Sequence, residues 1–253
     1  MSQSHAIIIG GTSGLGLSIA QVGLRDDVNP ITPIILGRSV EQAAVEFEDG
    51  EAIFCGYDLT HSDPTEIDNI LASDREIDYV FWVAGNPQPH AMIDMDSLGI
   101  DNMIDVHLLG PMKLIRHIYE FFYLRQLRLP QLVVISSTSA YKVRRGEDLY
   151  CALQAAKVAF ATNFCQTMRF VDATFSVTLV MPAGMDSPFW QWSQKDTSSF
   201  LNTRDVADII WRQVNGEEQK ARYEAGFASL VIERNLRGEP IVSSELPRLQ
   251  RPH

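Results

Sequence analysis

The chain has 253 residues, 45% hydrophobic and 21% charged, which gives it apolar material for a sizeable core and excludes a disordered chain. Its 32 acidic residues outnumber 21 basic ones, for a formal charge of −11, so most of its surface repels nucleic-acid phosphates and anionic lipid. Neither nucleic acid nor a membrane is expected as a partner, since no apolar run reaches the roughly 20 residues that span a bilayer.

In chain order, short β-branched runs alternate with helix-length amphipathic stretches, the pattern of an α/β, doubly wound parallel sheet. Strands are predicted over residues 5–10, 31–37, 52–55, 77–83, 131–136 and 174–181, each short and apolar as a strand covered on both faces should be. Helices are predicted over 15–25, 40–47, 64–72, 98–127 and 149–171, the fourth stopped by Pro130. From 183 to 202 the alternation lapses and Phe189, Trp190, Trp192 and Phe200 stand in polar company. Such a segment either closes over a substrate or caps the core with its rings. A helix over 204–214 and a strand near 229–233 follow. The tail, 237–253, carries little pattern and either lacks order or packs on another subunit. With no dividing linker and no internal repeat, the chain reads as one domain. The start lacks the basic and apolar stretches of a secretion signal, so a cytoplasmic location is expected. Cys55, Cys151 and Cys165 are odd in number and lack CxxC spacing, so neither a disulfide framework nor a metal site is expected.

The first strand runs into Gly10-Gly11-Thr12-Ser13-Gly14-Leu15-Gly16 and then into a helix. Glycines there let the backbone turn sharply and let a pyrophosphate approach the amides at the helix start. The spacing Gly10-x-x-x-Gly14-x-Gly16, together with motifs further along the chain, resembles the short-chain dehydrogenase/reductase family. That resemblance implies a Rossmann fold and a nicotinamide dinucleotide, with Gly10, Thr12, Ser13, Gly14, Leu15 and Gly16 around the phosphates. It also implies that Asp58 and Leu59 face the adenine. Ala84 and Gly85 match half of the family's fourth-strand motif, and Pro182 and Ser187 match its nicotinamide-holding segment. Where a carboxylate would repel a 2′-phosphate, the chain has Gly37 followed by Arg38. A guanidinium there favours NADP(H) over NAD(H).

In that family a tyrosine exchanges the alcohol proton, a serine steadies the oxygen, a lysine lowers the tyrosine pKa and holds the ribose, and an asparagine supports the lysine. Ser137 and Tyr150, thirteen positions apart, match the serine and tyrosine. Gln154 stands where the lysine belongs and His107 where the asparagine belongs. A neutral amide can hold a ribose but supplies no field to lower a phenol pKa. Lys157 lies about 20° from Tyr150 in helical projection but about 10 Å further along the axis, against about 6 Å for Gln154. Either residue is a candidate for the missing lysine's role. His107 is either an interior histidine or a proton relay. Cys151, about 100° from Tyr150 around the helix, reads as packing.

These residues lead to an NADP(H)-dependent oxidoreductase of the carbonyl reductase or alcohol dehydrogenase type, acting on a small, partly apolar substrate. Two alternatives stand beside it. One is an enoyl-type reductase using Tyr150-x6-Lys157; the other is a catalytically impaired NADP(H)-binding scaffold. The resemblance also implies a homodimer or homotetramer through the fourth and fifth helices, for which Met103, Leu114, Ile118, Phe121 and Phe122 offer either surface or ordinary core.

Overall fold

The computed structural model describes residues 3–27, 29–191, 196–215, 226–235 and 237–247. Eight strands form one sheet: β1 (Ser4–Ile9), β2 (Ile31–Gly37), β3 (Ile53–Gly56), β4 (Glu76–Trp82), β5 (Gln131–Ile135), β6 (Val177–Pro182), β9 (Phe227–Arg234) and β10 (Pro240–Ser243). Their order is β10-β9-β6-β5-β4-β1-β2-β3. Every pairing is parallel except β9 with β10. Two short strands, β7 (Met185–Asp186) and β8 (Leu201–Asn202), pair apart from it. The helices are α1 (Gly14–Leu24), α2 (Val40–Ala44), α3 (Asp68–Leu71), α4 (Ser97–Ile104), α5 (Gly110–Leu124), α6 (Asp148–Arg169) and α7 (Thr203–Asn215).

Strand alternation distributes side chains to two cores. Ile7 and Ile9 of β1 join Leu114 and Ile118 of α5 and Ala161 and Cys165 of α6 on one face. Ala6 and Ile8 join Leu15 and Ile19 of α1 and Ile210 and Trp211 of α7 on the other. The Trp211 indole donates to the Ile19 carbonyl at 2.7 Å, which joins α1 to α7 through a satisfied polar atom. The chain leaves β1 toward β2 on one side and later returns to place β4 on the other. That reversal opens a crevice at the carboxyl ends of β1 and β4, where doubly wound sheets hold ligands.

The 98–127 stretch is not one helix. A π-helical turn, Asp105–Leu109, separates α4 from α5. Pro111 follows closely; it has no N–H for the carbonyl four residues back and its ring crowds that carbonyl. The far end of α5 is closed before Pro130 is reached. Gln126 takes a left-handed φ of 54°, while Leu127 N–H bonds Phe122 O at 3.0 Å and Gln126 N–H bonds Tyr123 O at 3.1 Å. This pair of bonds terminates a helix without proline. The tail also differs from its expectation: Pro240–Ser243 pairs antiparallel with β9. A proline opening a short edge strand leaves little sequence pattern. Met103, Leu114, Ile118, Phe121 and Phe122 are all buried within the chain, so they are core and not free surface. The described cysteines are unpaired, and no helix among the described residues is long and apolar enough to cross a membrane.

Gly110 starts α5 against the loop after β3: a Cβ there would lie 2.2 Å from the Leu59 carbonyl oxygen. Backbone cannot yield as a side-chain tip can, so Gly110→Ala should lower unfolding free energy by about 1–3 kcal/mol. Urea denaturation checks this, and the gain normally given by a Gly→Ala change inside a helix would contradict it.

Candidate active site

One cleft of about 420 Å3 crosses the carboxyl ends of the central strands, and every residue singled out above for cofactor or catalysis lines it. At its first end Gly10, with φ +88°, sits so close to β4 that a Cβ would lie 2.7 Å from the Ala84 backbone. This contact aims the chain from β1 straight into α1. Ser13 precedes α1 without a side-chain cap bond, and the first turn carries no acidic residue. The first-turn amides are therefore left to a ligand, and their partial positive charge suits an anion. Ser187 packs over Gly14, 3.5 Å from where its Cβ would be, so the segment after Pro182 roofs the loop.

Arg38 is exposed at the end of β2. Against the cost of burial, hydrogen bonds from Thr60 hold the Asp58 carboxyl below the usual carboxylate range, and the Arg38 charge adds to them. Thr60 gives both its N–H (2.9 Å) and its hydroxyl (2.7 Å) to Asp58 Oδ1. That carboxylate is thus fixed in orientation at the cleft wall.

The remaining candidates meet at the other end. Ser137 leaves β5 and caps the following turn, its Oγ accepting from Ser139 N–H at 3.1 Å. Tyr150 lies in the first turn of α6, its ring 5.5 Å from His107 and 5.8 Å from Phe189. Burial raises the phenol above its ordinary pKa near 10, while hydrogen bonding from Ser137 pulls the other way. The phenol is therefore a neutral proton donor at physiological pH.

His107 is fully buried on the π turn. Its Nδ1 lies 3.2 Å from the Gln154 amide nitrogen, and its Nε2 lies 3.0 Å from Asn86 N and 2.8 Å from Asn86 O. If the Gln154 amide donates to Nδ1, Nε2–H donates to the Asn86 carbonyl. With the amide reversed, Nδ1–H donates to Gln154 and Nε2 accepts from Asn86 N–H. Both arrangements keep the ring neutral, and burial, with the nearby Lys157 charge, pulls its pKa down to about 3. Gln154 Oε1 is buried without a protein partner, a polar atom left over at the cleft floor.

Lys157 does not share that position. Its Nζ donates to Ala84 O at 3.0 Å and Ile135 O at 3.2 Å, and it sits 5.2 Å from the Trp82 ring centre. Its ammonium thus joins the ends of β4 and β5 beneath the cleft, with burial pulling its pKa down to about 7. Several participants escaped the sequence reading. Gln88 accepts from Tyr150 N–H at 2.8 Å and donates to Asp148 Oδ1 at 2.8 Å, pinning the start of α6 to the loop after β4. Ser136 Oγ donates to Gln154 O at 2.9 Å. Arg144 and Arg234 line the cleft mouth. None of these has a local motif; Gln88 and Asn86 had only their nearness to Gly85 as a signal. Trp192, of the aromatic segment, lies outside the described residues.

The buried cation makes stability depend on pH. Lys157 has a folded pKa near 7, below its ordinary value of 10.5, so between those values the unfolded chain binds more protons and stability rises with pH. Below about 7 both states hold the proton and this contribution is flat. Urea unfolding of wild type and Lys157→Met across pH 6 to about 10 should show the wild type gaining on the variant as pH rises; a pH-independent difference would contradict the assignment.

The family profile described as short chain dehydrogenase matches residues 4–198. No curated protein matches the sequence. Among solved structures, an alcohol dehydrogenase from Thermococcus sibiricus, complexed with 5-hydroxy-NADP, superposes with a TM-score of 0.76 at 16% identity, covering 99% of each chain. A bulky-bulky ketone specific alcohol dehydrogenase from Comamonas testosteroni gives 0.70 at 18% identity over 89% of this chain and 85% of its own. Serine dehydrogenase from Escherichia coli gives 0.66 at 19% identity over 82% and 89%. With the phosphate-loop geometry and the parallel sheet already in place, the chain belongs to the short-chain dehydrogenase/reductase family of oxidoreductases.

Proposed function

We propose that the protein is an NADP(H)-dependent carbonyl reductase acting on a small, partly apolar substrate. The observation that carries this reading is the neutral Tyr150 phenol beside Ser137, its pKa raised further by burial, in the same cleft whose opposite end presents Arg38. The cleft suits a dinucleotide on its own features. The uncapped α1 amides would hold the diphosphate, Arg38 would suit a 2′-phosphate, and the unpartnered amide atom of Gln154 would suit a ribose hydroxyl. Structures of similar fold described as holding NADP or NADP+ are in keeping with that choice.

When bound, the reduced dinucleotide supplies a hydride to the carbonyl carbon. As the C=O π pair moves onto oxygen, Tyr150 Oη–H transfers its proton there and becomes the phenolate. Ser137 Oγ–H donates to the same oxygen as charge builds. Solvent at the cleft mouth returns a proton to Tyr150. His107, through Asn86 and Gln154, fixes the floor without carrying charge. Reduction suits this site better than oxidation, because a neutral phenol is already the acid it needs. Lys157 gives its ammonium to two backbone carbonyls, which weighs against the Tyr150-x6-Lys157 enoyl-type reading.

Tyr150→Phe should lower kcat for ketone reduction by about 10²–10⁴-fold while NADPH affinity, measured by fluorescence titration, stays near the wild-type value. Undiminished turnover would refute the role, and NADPH binding with no turnover of any ketone in the wild type would favour a binding scaffold. Arg38→Ser should cut the NADPH-to-NADH ratio of kcat/KM by about 10–100-fold, the range set by charge-assisted hydrogen bonds; an unchanged ratio would remove Arg38 from cofactor selection.

A further inference from the structure

Beyond the phenol, the cleft wall is a chain of ring contacts. Tyr150 meets Phe189 at 5.8 Å, Phe189 meets Trp190 at 5.1 Å and Trp190 meets Phe200 at 5.4 Å. The chain ends on a cation, the Arg234 guanidinium 4.4 Å over the Phe200 ring. Arg234 uses Nη1 to donate to Ser199 O at 3.1 Å; its other donors have no hydrogen-bond partner among the described residues. Arg144, exposed on the loop between β5 and α6, lines the same mouth. Its charge reaches the Tyr150 and Tyr141 phenols and the Glu233 carboxylate, and its side chain makes no ion pair or hydrogen bond among the described residues.

The neighbouring charges are accounted for. Lys142 pairs with Glu233, which also accepts from Tyr141 at 3.2 Å. Glu147, also at the mouth, has interactions of its own. Two guanidiniums with donors to spare therefore stand at the open end of an aromatic wall, on a chain whose net charge is −11. Two guanidiniums so placed, within a surface of negative net charge, attract a ligand of negative charge locally, and the planar fork matches an oxoanion.

We propose that the substrate is an anionic carbonyl compound, its apolar body lying along Phe189, Trp190 and Phe200 and its carboxylate or phosphate received by Arg144 and Arg234. The proposal rests on the carbonyl reductase reading for the position of the reacting carbon, while the anion site itself is open to test by binding alone.

Matched pairs of keto acid and methyl ester, 4-acetylbenzoate and 5-oxohexanoate with their esters, separate the two. In calorimetric titrations of the NADP+-loaded protein, the acids should bind at least about tenfold more tightly than their esters, as charge-assisted bonds to guanidinium imply. Added salt should weaken the acids alone. Arg144→Ala and Arg234→Ala should each shrink the acid-to-ester ratio, and the double variant should bring it close to unity. Equal affinity of acid and ester in the wild type would overturn the proposal, as would a ratio that both variants leave intact. Loss of NADPH affinity in Arg234→Ala by the same factor as loss of acid affinity would also overturn it, by assigning that guanidinium to the dinucleotide's phosphates. Turnover reads the other claim: acids that bind through the arginines but are never reduced by NADPH would sink the reductase reading and leave the anion site standing.

Discussion

The close approach of Gly10 to the Ala84 backbone is the contact on which the site depends. No side chain fits between them, since a Cβ at position 10 would stand 2.7 Å from the Ala84 backbone just past β4. The loop leaving β1 is therefore pressed against the end of β4, and α1 begins where its first amides look into the cleft. The same β4 carries Trp82 at its end and leads into Ala84, whose carbonyl holds Lys157. One packing constraint thus sets the positions of both the glycine-loop end of the cleft and the floor beneath Tyr150.

Helix α6 then distributes three jobs along one face. Tyr150 lines the cleft, Gln154 bonds His107 one turn further on, and Lys157 lies below, tied to the ends of β4 and β5. The neutral amide stands four residues past Tyr150 and the cation seven. A buried ammonium between two carbonyls holds strand ends together, but it does not act on Tyr150 as an adjacent lysine would. Burial raises the phenol pKa, in keeping with the proposed donation of a proton to a developing alkoxide. His107 and Gln154 are matched to each other: the imidazole Nδ1 and the amide share one hydrogen bond in the buried floor of the cleft, which leaves one amide atom of Gln154 over.

Much of this was legible where the determinants are local. The strand at 31–37, the glycine turn after β1 and the thirteen-residue interval between Ser137 and Tyr150 depend on neighbouring residues or on one crossover. Helical projection set Lys157 on the face of Tyr150, yet whether its ammonium rises to the cleft or sinks to the strand ends depends on where the Ala84 and Ile135 carbonyls lie. The π turn under His107 arises from Pro111 acting on the preceding turn, a departure that the 3.6-residue period hides. Gln88 and Arg234 come from segments 62 or more residues away from Tyr150 in the chain, and only the folded sheet brings them to it. The pairing of Pro240–Ser243 with β9 is set by the open edge of the sheet and leaves no period in the tail.

The proposed chemistry requires that this cleft hold a dinucleotide with a 2′-phosphate. Isothermal titration of the wild-type protein with NADPH and, separately, NADH measures that directly. It should give one site per chain for NADPH and an affinity about 10–100-fold weaker for NADH, the worth of a charge-assisted contact to the phosphate. Absence of saturable heat with either dinucleotide, confirmed by unchanged thermal unfolding in their presence, would contradict it.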